Sequence, residues 1–218
     1  MDTLLYFFFT AAYLILLIWG LSQQKKWNMM SFLFAVVLGL VYDNGIIALG
    51  KFIGEGELLQ ALSVPRFWIH AFLTPTLVLF SWSALKWAGV EWAEKKAVLI
   101  FTVLYTLGLV VIEYIFETAN LTLKSASEYG VLRYVSAEPA TGPPIMVLLL
   151  TAVLIFSGAI LWKRTGWKWM LIGSAVMVIG SAVPIPVNSS AATNGFELFL
   201  LFTLVWTKIH LESKNARS

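Results

Sequence analysis

Residues 107–118 read LGLVVIEYIFET and close an apolar run that begins at Ala97. A run of that length matches the roughly 20 residues a helix needs to cross the hydrocarbon core of a bilayer. Glu113 and Glu117 sit inside it four residues apart, so on a helix they lie one turn apart on a single face. Thr106 and Thr102 continue that stripe deeper. A carboxylate in hydrocarbon costs roughly 2.5–3.5 kcal/mol on insertion scales, so an acid within a membrane helix is turned away from lipid and given a partner. Two questions follow: how many such runs the chain has, and which residues meet these two acids.

Of the 218 residues, 59% are apolar and only 12% charged, with a mean hydropathy of +0.82. Soluble domains carry about a quarter charged residues, so this composition excludes them. Apolar runs recur at residues 3–21, 29–49, 67–88, 97–118, 145–162, 167–187 and 196–210. Pro143-Pro144 precedes the fifth, and Pro184 and Pro186 end the sixth. The expected fold is therefore all-α, a polytopic membrane protein forming one seven-helix domain over residues 1–218. There is no β pattern, no internal repeat and too little intervening sequence for a separate soluble domain. The first run lacks a basic leader and a small-residue cleavage site, which marks a retained helix rather than a signal peptide. With no cysteine, disulfide and thiol chemistry are excluded. The net charge of +3 comes from loop lysines and arginines and points to no nucleic-acid partner. Membrane lipids are the expected surroundings, with Trp27, Trp92, Trp162, Trp167, Trp169 and Trp206 as interfacial anchors at helix ends.

Eleven of the fifteen basic residues (Lys25, Lys26, Lys86, Lys95, Lys96, Lys163, Arg164, Lys168, Lys208, Lys214 and Arg217) fall at one set of helix ends. Lys51, Arg66, Lys124 and Arg133 fall at the other. The positive-inside rule then predicts an N-terminus outside and a C-terminus in the cytoplasm. Three outer connections have content. Residues 55–62 (EGELLQAL) have the pattern of a short amphipathic helix at the interface. Residues 119–144 form the longest loop, long enough to fold over the bundle mouth as a lid. Residues 188–195 (NSSAATNG) are small and polar. Asn120-Leu-Thr122 and Asn188-Ser-Ser190 match glycosylation sequons, but so close to the membrane they read as chance.

Depth along each run brings the polar residues to one level. Asp43 and Asn44 lie in the outer half of the second run, about 9 Å below its end at 1.5 Å per residue. Arg66, His70 and Thr74 descend one face of the third at a spacing of four. Glu113 lies roughly 7 Å below the end of the fourth, with Glu117 nearer the end. Asn194 and Glu197 open the last helix. Every acid within the runs, and the one histidine well inside them, thus falls in the outer third. Individually these residues also suit blander roles: Asp43 and Asn44 as caps of a helix broken at Gly45, His70 as a packing histidine, Glu117 and Glu197 as solvated boundary acids. Together they predict a shared cavity on the non-cytoplasmic side. Tyr42, Tyr105 and Tyr114 are further lining candidates. Gly173/Ser174 and Gly180/Ser181 predict a close helix-packing seam.

The residue types suit general acid–base chemistry on a lipid or isoprenoid-like substrate: isomerisation, cyclisation or hydrolysis. Burial and a neighbouring cation act oppositely on a carboxyl, so Glu113 and Asp43 can serve as acid and base, with His70 as shuttle or electrophile. Asn44, Thr74, Glu117, Asn194, Glu197, Arg66 and Tyr42 would bind the substrate. No cofactor is expected; a divalent metal on His70, Asp43, Glu113 and Glu197 is the lesser alternative, since zinc hydrolases usually bring more histidines. Seven-helix zinc lipid hydrolases of the alkaline ceramidase type need a clustered His-x-x-x-His, which is missing here. Retinal proteins carry a lysine within the last helix, whereas Lys208 reads as a boundary charge beside His210. Two other classes remain: a proton-coupled transporter of a small molecule, which the one-sided polar layer and absent repeat disfavour, and a non-catalytic binder of a hydrophobic ligand. Ser63, Thr74 and Ser181 are nucleophile candidates by proximity alone.

Overall fold

A computed structural model describes residues 2–138, 145–182 and 189–215. Pro143, Pro144, Pro184, Pro186, Asn188 and Arg217, invoked above as helix bounds, sequon and terminal charge, lie outside the described residues. The protein is mostly helical. Its helices are α1 (Asp2–Ser22), α2 (Phe32–Ile53), α3 (Glu57–Leu73), α4 (Leu77–Trp87), α5 (Lys96–Glu113), α6 (Ile145–Thr165), α7 (Trp169–Ala182) and α8 (Asn194–Asn215). Among the described residues, five helical stretches are long and apolar enough to cross a membrane: Asp2–Ser22, Met29–Ile53, Glu57–Trp87, Lys96–Thr118 and Ile145–Thr165. Helix α7 is apolar but shorter, and α8 carries Glu197, Lys208, Glu212 and Lys214 along its length. Large apolar side chains stand exposed on α1 (Leu4, Phe8, Ile15, Ile18) and on α5 (Ile100, Phe101, Leu104). Such belts suit lipid rather than water, and the protein is compatible with an integral membrane protein.

The third expected run is longer than its hydropathy suggested. Residues 55–62 do not form a separate interfacial helix. From Glu57 they make the first turns of α3, which passes through Pro65 and tightens to a 3₁₀ turn at Thr74–Thr76 before α4. Pro75 lies in that turn, where its missing N–H interrupts the helical hydrogen-bond ladder. The fourth run departs from regularity at its acidic end. Tyr114–Thr118 winds as a π-helical turn, with the Ala119 N–H donating to Tyr114 O at 2.7 Å. A π turn takes in one extra residue, and such turns in α-helices frequently mark functional sites.

The expectation of no β structure is corrected. Strands β1 (Leu123–Glu128) and β2 (Val131–Ser136) form an antiparallel hairpin with Glu128 opposite Val131. Tyr129 (φ 52°) and Gly130 (φ 87°) make its two-residue turn, with both residues in the left-handed region that hairpin twist requires. The hairpin is seated on the bundle. Val131 and Tyr134 are buried, Tyr134 against Ile46 and Leu59. The Leu132 carbonyl lies against Gly50 of α2, where a Cβ would overlap it. The start of α1 joins in: Asp2 N–H donates to Tyr129 O (3.2 Å) and Thr3 Oγ1 to Gly130 O (2.6 Å). The Asp2 carboxylate also accepts from Ser190 N at 2.6 Å and from the Ser189 and Ser190 hydroxyls at 3.1 Å.

Elsewhere helices meet by close packing, as expected where lipid removes the hydrophobic drive between them. Gly173 of α7 faces Thr203 and Gly180 faces the Phe196 ring, so close that a side chain at either glycine would overlap α8. At the end opposite the hairpin, Lys208 corrects its reading as a boundary charge. It is 1% exposed and paired with buried Glu212, which also accepts from Asn28 Nδ2 at 2.9 Å and from Lys25 N at 3.5 Å.

Candidate functional site

A cavity of about 390 Å³ lies near the hairpin end of the bundle. Helix α2 supplies Val36, Gly39, Leu40 and Asp43; α3 and the following turn supply Arg66, Phe67, Ile69, His70, Leu73 and Thr74. Glu113 comes from the end of α5, Glu117 from the π turn, Val147 from α6 and Glu197 from α8. All four acids found within the expected runs therefore share one wall system with Arg66, His70 and Thr74. The cavity also has an aliphatic part: Val36, Leu40, Ile69, Leu73 and Val147.

Two ion-pair contacts organise the polar part. Arg66 Nε donates to Asp43 Oδ1 at 2.7 Å, with the Arg66 side chain 10% exposed. Its Nη1 donates to Tyr134 O at 3.3 Å, so the same guanidinium ties the cavity to β2. His70 Nε2 stands 3.7 Å from Glu113 Oε1. That is an ion-pair distance when the ring is protonated, and longer than a hydrogen bond. His70 Nδ1 meets Thr74 Oγ1 at 3.3 Å, one turn on, which orients the ring from below. The Glu113 side chain is 12% exposed.

Other expected lining residues stand elsewhere. The Tyr42 hydroxyl donates to Leu62 O at 2.8 Å and packs with Ile46 and Leu59 on the hairpin side of α2. Asn44 is fully buried behind the wall, donating to Leu40 O (2.9 Å) and accepting from Asn194 Nδ2 (2.7 Å). That amide pair joins α2 to α8 instead of lining the cavity. Tyr105 donates to Leu149 O at 3.4 Å, and Tyr114 tilts against Trp68 on the exposed side of α3. Thr102 and Thr106 bond back to their own helix, at Val98 O (2.8 Å) and Thr102 O (2.9 Å). Ser63 does likewise with Leu59 O (2.8 Å) and is not among the residues that line the cavity. The Ser181 side chain lies outside the description.

Tyr13 was not foreseen. It is fully buried on α1, its hydroxyl 3.4 Å from Asn194 O and in hydrogen-bonding reach of Glu197. An aromatic in an apolar helix reads as packing, and only the neighbouring helix reveals its polar end. The aliphatic lining was equally invisible, since Val36 and Val147 resemble every other apolar residue in their runs.

A histidine beside a carboxylic acid, with a second carboxylate clamped by arginine, has the parts of a general acid–base pair. Among the described residues no three His, Cys, Asp or Glu side chains converge as a metal-ligand set. Compared with known protein families, curated proteins and solved structures, the chain matches none.

Proposed function

We propose that the chain is a seven-helix integral membrane enzyme whose hairpin end faces the non-cytoplasmic side. Its cavity would act on a lipid or isoprenoid-like substrate by acid–base chemistry. The observation that carries the reading is the His70–Glu113 contact at 3.7 Å, in a cavity that shares aliphatic lining and the Asp43–Arg66 pair. Three helices contribute these four groups, and lone ionisable residues are too costly in a membrane to gather without a use. In this reading Glu113 and His70 exchange the proton with the reacting atoms. Asp43, held by Arg66, supplies a fixed negative charge, Thr74 orients His70, and the aliphatic lining holds the apolar skeleton. Lipids of the bilayer are the source of substrate.

The test is turnover of a panel of isoprenoid and lipid substrates by the protein in nanodiscs, against Glu113→Gln. The amide keeps the shape of the side chain but cannot give or take the proton. Product formation should fall by about 10²–10⁴-fold, the range general acid–base groups contribute, while substrate binding persists. Turnover equal to that of the parent protein would remove Glu113 from the mechanism.

A further inference from the structure

The charges around the cavity do not balance. Four acidic side chains line it: Asp43, Glu113, Glu117 and Glu197. Against them stand one guanidinium and one imidazole, and both are engaged. Arg66 is spent on Asp43 and on the Tyr134 carbonyl. His70 faces Glu113 on one ring nitrogen and Thr74 on the other. Among the described residues no basic side chain pairs with Glu117 or Glu197. The rest of the lining is mostly apolar, so the cavity suits an amphiphile.

An anionic head would meet acidic side chains with no unengaged cation among the described lining residues. Phosphate, diphosphate and carboxylate ligands are disfavoured by like charge at close range. A protonated amine would instead supply the missing counter-charge and donate hydrogen bonds to Glu117 and Glu197. We propose that the cavity selects an amphiphile whose polar head carries positive charge, an amine or ammonium on a short isoprenoid or alkyl skeleton. The inference rests on the cavity being the binding site proposed above.

A matched series tests it: geranylamine, geraniol and geranic acid share one skeleton and differ only in the head. Binding is measured by isothermal titration calorimetry on the full-length protein in phosphatidylcholine nanodiscs, with empty nanodiscs as the blank. Geranylamine should bind at least about tenfold more tightly than geraniol, the scale of a close charge pair, with geranic acid weakest. Glu197→Gln should shrink the amine-over-alcohol ratio, as should Glu117→Gln, which sits in the terminal turn and leaves the buried interior intact. The double variant should bring the ratio close to one. Geraniol binding as tightly as geranylamine, no binding of geranylamine, or an amine preference that survives the double variant would overturn the inference. A separate variant, Leu40→Trp, fills the aliphatic part of the cavity. If amine and alcohol bind equally and Leu40→Trp abolishes both, only the charge argument fails. If Leu40→Trp leaves all binding unchanged, the cavity is not the binding site and the functional reading fails with it.

Discussion

Lys208 and Glu212 are the most enclosed ion pair among the described residues, one turn apart on α8 with side chains 1% and 2% exposed. Glu212 gathers the α1–α2 connection through Asn28 and Lys25, so removing its lysine leaves a carboxylate without compensation. Lys208→Met should cost about 3–5 kcal/mol of unfolding free energy, whereas Lys208→Met with Glu212→Leu should recover most of it, because a buried charge pair is barely better than apolar packing. Denaturant unfolding in mixed micelles measures both. Arg66 has a different weight. Arg66→Met releases Asp43 and also the Tyr134 carbonyl, so it should loosen the hairpin as well as the cavity. Asp43→Asn in that background should restore stability but not the hairpin contact, since the amide needs no counter-charge.

At the level of elements, the hairpin is seated by a close backbone contact on α2 as well as by side-chain hydrogen bonds. Gly50 admits the Leu132 carbonyl because it has no Cβ. Gly50→Val should therefore lift β2 from α2 while leaving the helices folded. Hydrogen exchange is the measurement: amides across Leu123–Ser136 should lose protection by at least about tenfold, and those of α2 and α4 should not. Unchanged protection of the hairpin would show that its seat lies elsewhere. The π turn at Tyr114–Thr118 is the other irregular element. It changes the angle between Glu113 and Glu117 from that of an α-helix, yet both acids still line the same cavity.

For the whole molecule the open quantity is sidedness, and the sequence makes it easy to test. The chain has no cysteine, so single introduced cysteines report cleanly. Ser127→Cys, exposed on β1, should react with a membrane-impermeant maleimide added to intact cells. Glu91→Cys, exposed in the turn between α4 and α5, should react only after permeabilisation. The reverse pattern would invert the proposed topology. Both sites reacting in intact cells would mean that the bundle does not separate two compartments.

Composition and periodicity alone determined the helical, membrane-type architecture, because apolar runs near bilayer length follow from residue type and backbone hydrogen bonding. They also picked out the cavity's ionisable residues. Charge inside an apolar helix is expensive enough to be conspicuous, and depth along each helix is a matter of counting from its end. Tertiary structure alone decided what stands between helices. It placed Tyr13 beside Glu197, withdrew Asn44 and Asn194 into a bond with each other, and turned Tyr42 toward Leu62. It also folded residues 123–136 into a hairpin whose Tyr129-Gly130 turn lacks the usual Asn-Gly signal. Hydropathy reports whether a side chain prefers oil, not which neighbour it meets, and azimuth about a helix axis is set by the packing of small residues such as Gly39, Gly50 and Gly173 against particular partners.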